Sequence, residues 1–139
     1  MLLLSMLALS AFAPTSAMSQ ARAPVITALG TIEPGEWQLR EREGTRTLST
    51  RNICVSDTSS LLQVRHPGVS CSRYVITNEP KNTVVHYTCP GAGHGRTNLK
   101  VETPRLIQIF SQGIADNSPF YFTMEGRRVG SCAAAGGAH

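Results

Sequence analysis

Residues 97–111, TNLKVETPRLIQIFS, decide the fold because they contain two strand patterns joined by a turn. From residue 97 to residue 102, apolar and polar side chains alternate, which places them on opposite faces of an extended chain. One face has Thr97, Leu99 and Val101, and the other has Asn98, Lys100 and Glu102. Thr103 and Pro104 indicate a turn, and a second apolar run follows over residues 106–111. The stretch therefore predicts two antiparallel strands.

The rest of the chain repeats this pattern, with short alternating runs separated by clusters of Gly, Pro, Asn and Ser. We predict strands at about residues 36–43, 48–54, 71–77, 83–89, 97–102, 106–111 and 120–124. Ser56 and Asp57 indicate the start of one short helix, which Pro67 and Gly68 end. Seven short strands must protect their edges from other chains. The sequence therefore predicts an all-β antiparallel meander, either a strongly curved sheet or an up-and-down barrel, with one short helix.

The N-terminal residues are typical of a secretory signal. Residues 1–21 contain no charged side chain, and residues 2–13 are almost continuously apolar. A helix of that length would reach about 18 Å, less than the roughly 30 Å core of a bilayer, so we predict no membrane span. Pro14 ends the run, and Ser19 with Ala21 has the spacing of a signal peptidase site, with Ala17 as the alternative.

This interpretation divides the chain into four parts. We predict a signal peptide at 1–21, an N-terminal extension at 22–32, a single β domain at 33–132 and a disordered tail at 133–139. Removing 21 of 139 residues leaves 118, which is the length of one ordinary domain. The predicted location is the periplasm.

Four cysteines in an exported chain predict two disulfides. A hairpin turn centred on Pro80 places Cys71 opposite Cys89, which leaves Cys54 to pair with Cys132. A slip of one residue in that hairpin would turn the two sulfur atoms to opposite faces. The pairing of Cys54 with Cys71 and of Cys89 with Cys132 therefore stays open as the alternative.

Two segments resemble the ends of a known family. Glu33-Pro-Gly-Glu-Trp-Gln-Leu and Met124-Glu-Gly-Arg-Arg-Val-Gly-Ser-Cys are similar to the bookends of the domain of unknown function 3617 family, small exported proteins mostly from proteobacteria. The order of cysteines between them also matches. Residues 44–47 form a shorter turn than the family usually has, and His94 stands where small or acidic residues are more usual. The resemblance implies an exported β protein and transfers no catalytic residue.

Catalytic and nucleotide-binding motifs are missing from the sequence. There is no Gly-x-Ser-x-Gly elbow, and the glycines at 91, 93 and 95 lead into a strand pattern rather than a helix. No two cysteines have the close spacing of a zinc site. The 13 Lys and Arg residues exceed the 9 Asp and Glu residues by four, but they are scattered rather than clustered with aromatic residues. We therefore predict no enzyme, no metal, no cofactor and no nucleic-acid partner.

Two functions remain, with different partners. The first is a binding module that holds an apolar or amphipathic ligand against the concave face of the sheet. Its predicted ligand-facing residues are Trp37, Leu39, Leu99, Val101, Phe120, Phe122 and Met124. The second is a structural or envelope-stress protein that contacts another envelope protein through its outer surface, with those side chains as its core. We favour the first, because a small exported β domain without active-site chemistry has to act by binding.

Export is directly testable. N-terminal sequencing of the protein recovered from the periplasm should begin at Arg22, because the apolar run, Pro14 and the small residues at 19 and 21 define a cleavage site after Ala21. Recovery of the chain from the cytoplasm with Met1 intact would contradict both the export and the disulfide predictions.

Overall fold

Seven antiparallel strands form one sheet, which confirms the predicted all-β class. The strands are β1 (Gly35–Glu43), β2 (Arg46–Val55), β3 (Ser72–Glu79), β4 (Asn82–Cys89), β5 (Gly93–Thr103), β6 (Leu106–Ala115) and β7 (Ser118–Gly130). This computed structural model describes residues 12–14, 16–17 and 24–133. The predicted cleavage site after Ala21 and residues 134–139 of the predicted tail lie outside the described residues.

The strand order is that of a barrel opened along one seam. The strand order is β2-β1-β7-β6-β5-β4-β3, so most strands pair with the strands next to them in the chain, with two exceptions. β1 pairs with β7, and β2 and β3 do not pair with each other. The sheet is therefore not closed, and the curved-sheet form of the prediction is the one observed.

The seam between β2 and β3 is occupied by the connection between them. We call residues 58–70 the bridging segment; it begins with a 3-10 helix, Thr58–Leu62. On one side it shares a groove of about 250 Å³ with Arg51 and Ile53 of β2. On the other side Arg73 of β3 donates to Oε1 of Gln63 at 2.7 Å. Because both edges of the sheet reach the same short segment, the sheet is strongly curved.

The helical content differs from the prediction in two respects. The predicted helix is present as the 3-10 helix at the start of the bridging segment, and Asp57 caps it by accepting from the Ser59 N–H at 2.9 Å. A second 3-10 helix, Thr27–Thr31, lies in the segment that we assigned as an extension. Ile26, Ala28 and Ile32 beside or within it are buried in the core.

Two predicted loops are shorter in the structure because glycine and positive backbone angles allow the strands to continue. The predicted strands leave residues 90–96 and 112–119 as loops, but β5 already begins at Gly93, and β6 and β7 meet at a two-residue turn. A Cβ atom on Gly93 would lie 2.0 Å from the carbonyl oxygen of Ile114, so only glycine allows these strands to approach. Asp116 and Asn117 have φ angles of 50° and 60°, as a tight hairpin turn requires.

The hairpin of β3 and β4 follows the predicted register over half of its length. Tyr74 pairs with His86 and Val75 with Val85, as expected for a turn centred on Pro80. The predicted pairing of Ile76 with Val84 is wrong, because a bulge at Ile76 shifts the register and Thr77 faces Val84 instead. The bulge lies on the turn side, so the register near the cysteines is unaffected.

The disulfides join Cys71 to Cys89 and Cys54 to Cys132, with Cα–Cα distances of 4.2 Å and 5.4 Å. This is the pairing that the hairpin register favours. The first disulfide joins neighbouring strands. The second connects the end of β2 to the chain just after β7, across β1, and so holds the β2 edge in place.

The two disulfides should differ in their effect on stability. We expect the double variant Cys54→Ser, Cys132→Ser to lose about 4.5 kcal/mol of unfolding free energy and Cys71→Ser, Cys89→Ser about 3 kcal/mol, because the longer loop constrains the unfolded chain more. Urea unfolding of the oxidised variants measures both values. A larger loss in the variant without Cys71 and Cys89 would contradict this ordering.

Candidate functional site

The predicted ligand-facing residues lie together, but inside the core. Trp37, Leu39, Leu99, Val101, Phe122 and Met124 are each at most 3% exposed, and Phe120 is partly buried. Residues of both 3-10 helices, including Ala28, Leu61 and Leu62, belong to the same packed cluster. The concave face is therefore covered by the chain's own short helices and does not form an open binding surface.

A buried polar network lies at one end of this core. His66 of the bridging segment contacts the Tyr87 hydroxyl through Nδ1 at 2.9 Å. Its Nε2 lies 3.1 Å from the carbonyl oxygen of Ala92 and 3.0 Å from that of Ile114. Two carbonyl acceptors require a proton on Nε2, so in the neutral ring Nδ1 accepts from the tyrosine. In the sequence, His66 stands directly before the helix-ending Pro67 and Gly68, which indicates a turn and not these contacts.

The network continues through two hydroxyl side chains. Thr97 donates to the carbonyl oxygen of Leu62 at 2.7 Å and lies 2.8 Å from the hydroxyl of Ser111. These contacts join the bridging segment to β4, β5 and β6. A Cβ atom on Gly95 would lie 2.5 Å from the Tyr87 hydroxyl, so this glycine makes the space that the phenol occupies. The arrangement satisfies buried polar groups and fixes the segment in the seam.

An open pocket lies where the β1–β2 hairpin separates from β7. The pairing of these strands ends at Arg42 with Thr123, so residues 118–122 of β7 pair only with β6. The space between has a volume of about 420 Å³. We call it the hairpin pocket; Glu41, Arg42, Gly44, Leu48, Tyr121 and Phe122 are among its lining residues. Phe122 is the one predicted ligand-facing residue that lines it.

Of the three arginines at the hairpin pocket, two form ion pairs and the third does not within the described residues. The Arg65 guanidinium lies over the Phe122 ring, 4.9 Å from its centre, and 3.3 Å from Oε2 of Glu41. Arg46 pairs with Glu43 at 2.5 Å. Within the described residues, Arg42 has no carboxylate at ion-pair distance and donates only to the carbonyl oxygen of Thr45 at 3.4 Å. Its Nε is buried without a hydrogen-bond partner.

Two further observations concern residues 24–133 and the short described stretches before them. There, no group of three or more His, Cys, Asp or Glu residues is placed to hold a metal ion. In the same part of the chain, no helix has the length and apolarity needed to cross a membrane.

The ionisation of Tyr87 should report on the buried network. Burial raises the pKa of Tyr87 from 10.0 to about 12, although its hydrogen bond with Ser111 acts in the opposite direction. Because the pKa is higher in the folded state, the stabilising contribution is complete below pH 10 and is lost as the pH rises to about 12. The loss amounts to roughly 2 to 3 kcal/mol. Denaturant unfolding across this range should show it.

Matched variants separate Tyr87 from the other tyrosines. In an alkaline absorbance titration of tyrosine ionisation, the buried Tyr87 should produce a late step near pH 12. Tyr87→Phe should abolish this late step, whereas Tyr74→Phe on the exposed face should retain it. A late step that persists in Tyr87→Phe would show that the buried phenol is not its source.

The chain matches no family model, no curated protein and no solved structure.

Proposed function

We propose that the protein is an exported, periplasmic binding module that takes a small amphipathic ligand with an acidic head group in the hairpin pocket. The observation that carries this proposal is Arg42, which lines the pocket and has no carboxylate partner among the described residues. The signal-like N terminus and the two disulfides support export to an oxidising compartment.

The pocket has an apolar wall suited to the body of an amphipathic molecule. Leu48 is half exposed, and the Tyr121 side chain is 64% exposed beside it. The Phe122 ring lies deeper and has the Arg65 guanidinium against its face. A volume of about 420 Å³ falls within the range of ordinary small-molecule sites. An alkyl chain of moderate length can therefore contact apolar surface here.

Arg42 supplies the polar end of the site. A guanidinium binds carboxylate or phosphate oxygens through two parallel hydrogen bonds. An acidic head group in the pocket would provide the anionic partner that Arg42 lacks within the described chain. Glu41 and Glu43 are already paired with Arg65 and Arg46, so they compete little for Arg42.

The second candidate function is an envelope protein that acts through protein contacts. Large apolar side chains on the outer surface favour it, among them Tyr74, Ile76, Phe110 and Val129. The hairpin pocket is the better candidate because it combines concavity, apolar surface and a cation without an anionic partner. No catalytic residue, metal or cofactor is part of either proposal.

Decanoate is a suitable probe for the hairpin pocket. We expect the oxidised protein to bind decanoate, and Arg42→Gln to weaken binding at least tenfold, because a charge-assisted hydrogen bond to the head group contributes about 1.5 to 3 kcal/mol. Isothermal titration calorimetry measures both affinities. Arg42→Lys should recover only part of the affinity, because an ammonium group cannot bind both carboxylate oxygens in the same plane.

Arg40→Gln is the matched control, because Arg40 lies two residues before Arg42 on β1 and donates to Gln38 instead. It should bind decanoate like the unchanged protein. Equal binding of decyltrimethylammonium, or equal losses in the two variants, would contradict the proposed recognition of an acidic head group.

A further inference from the structure

Five adjacent strands place one residue each in a row across the outer face of the sheet. Tyr74 pairs with His86, His86 with Arg96, Arg96 with Gln112, and Gln112 with Tyr121. All five side chains are exposed, with Tyr74 at 73% and Tyr121 at 64%. At about 4.8 Å per strand, this row, which we call the outer ladder, is about 19 Å long.

The chemistry of the outer ladder differs from that of an ordinary solvated face. The neighbouring row on one side contains His94, whose ring lies 5.9 Å from that of His86. The row on the other side contains Phe110, which packs edge-to-face against Tyr121 at 5.1 Å. Neither the ladder nor these two rows contain an Asp or Glu residue. The surface is therefore aromatic and cationic, with no carboxylate to neutralise Arg96.

Both ends of the outer ladder open into a depression. A shallow groove of about 320 Å³ adjoins Tyr74 and His86. The hairpin pocket adjoins Tyr121 at the other end. A ligand would have to span about 19 Å to reach both depressions. A linear polymer can do so, whereas a single small molecule cannot.

We propose that the outer ladder binds an acidic polysaccharide, a linear chain of sugars with carboxylate groups. Sugar rings expose C–H groups that pack against aromatic faces, here those of Tyr74 and Tyr121. Arg96 binds a carboxylate in the middle of the row. Gln112 and the two histidine rings provide hydrogen bonds for hydroxyl groups.

Single-stranded nucleic acid is the main competing polymer, because exposed aromatic residues on a sheet can also stack with bases. Such binding depends on many Lys and Arg contacts to phosphates. In the ladder and its two flanking rows, Arg96 is the single Lys or Arg residue, and one arginine lines the depression at each end, Arg73 and Arg42. Uncharged hydrogen-bonding side chains are common in the same rows. The balance favours a hydroxyl-rich polymer, because sugar hydroxyl groups can bind these uncharged side chains.

This proposal does not depend on the hairpin pocket binding an amphipathic ligand. Tyr121 borders both surfaces, so it is left unchanged in the experiment. The informative variants are Tyr74→Ser and Arg96→Gln, because neither residue lines the hairpin pocket. Their affinity for decanoate should equal that of the unchanged protein, which separates the two proposals.

Alginate oligosaccharides are the probe, with dextran of equal length as the neutral comparison. We expect calorimetry on the full oxidised protein to show alginate binding that weakens with added salt, and no dextran binding. Tyr74→Ser and Arg96→Gln should each weaken alginate binding about tenfold, through lost stacking and a lost charge-assisted hydrogen bond.

Arg51→Gln is the matched control, because it removes the same charge from exposed strand β2, away from the ladder. It should change alginate affinity less than about twofold. The proposal is overturned by an absence of alginate binding, by equal binding of dextran, by tighter binding of oligothymidylate than of alginate, or by a loss in Arg51→Gln equal to that in Arg96→Gln.

Discussion

The pairing of β1 with β7 is the constraint on which the rest of the structure depends. It brings the two ends of the domain together over Glu36 to Arg42 and thereby moves the open edges of the sheet to β2 and β3. Those edges are the exposed backbone that a β protein has to protect. The bridging segment fills the space between them, and the Cys54–Cys132 disulfide holds β2 beside the end of β7. The position of the gap between β2 and β3, the place of the bridging segment and the position of the Cys54–Cys132 disulfide therefore all follow from the pairing of β1 with β7.

The bridging segment, rather than a further strand, lies between β2 and β3, and this determines what covers the interior of the sheet. The bridging segment brings Leu61, Leu62 and His66 onto the concave face, and the N-terminal 3-10 helix adds Ala28. Polar groups buried in that position need partners. Thr97 donates to the backbone carbonyl oxygen of Leu62, and the Tyr87 hydroxyl contacts the His66 ring. The concave side is therefore filled, and both proposed binding surfaces lie elsewhere.

A difference in strand length produces the hairpin pocket. β7 continues to Ser118 beyond the last residue that pairs with β1, so the β1–β2 hairpin separates from it and exposes Tyr121. On the outer face, the pairing of β4, β5, β6 and β7 is regular at the ladder positions, and this aligns side chains into the ladder around Arg96. The one register shift among these pairs, between Val101 and Thr103 of β5, lies away from the ladder. A sheet built with shorter strands would have neither feature.

The sequence by itself determined the all-β class, all seven strands, the common face of Leu99 and Val101 and the favoured cysteine pairing, because alternation and turn residues are local signals. Which strand pairs across the ends of the chain depends on packing between distant residues, so only the tertiary structure decided that the sheet stays open at β2 and β3. Packing between distant residues also explains two differences from the sequence prediction. The contacts of His66 with Tyr87, Ala92 and Ile114 and the burial of the concave face by both 3-10 helices join parts of the chain that are far apart in sequence. The residues of the outer ladder are likewise separated by up to 47 positions, and strand register alone brings them together.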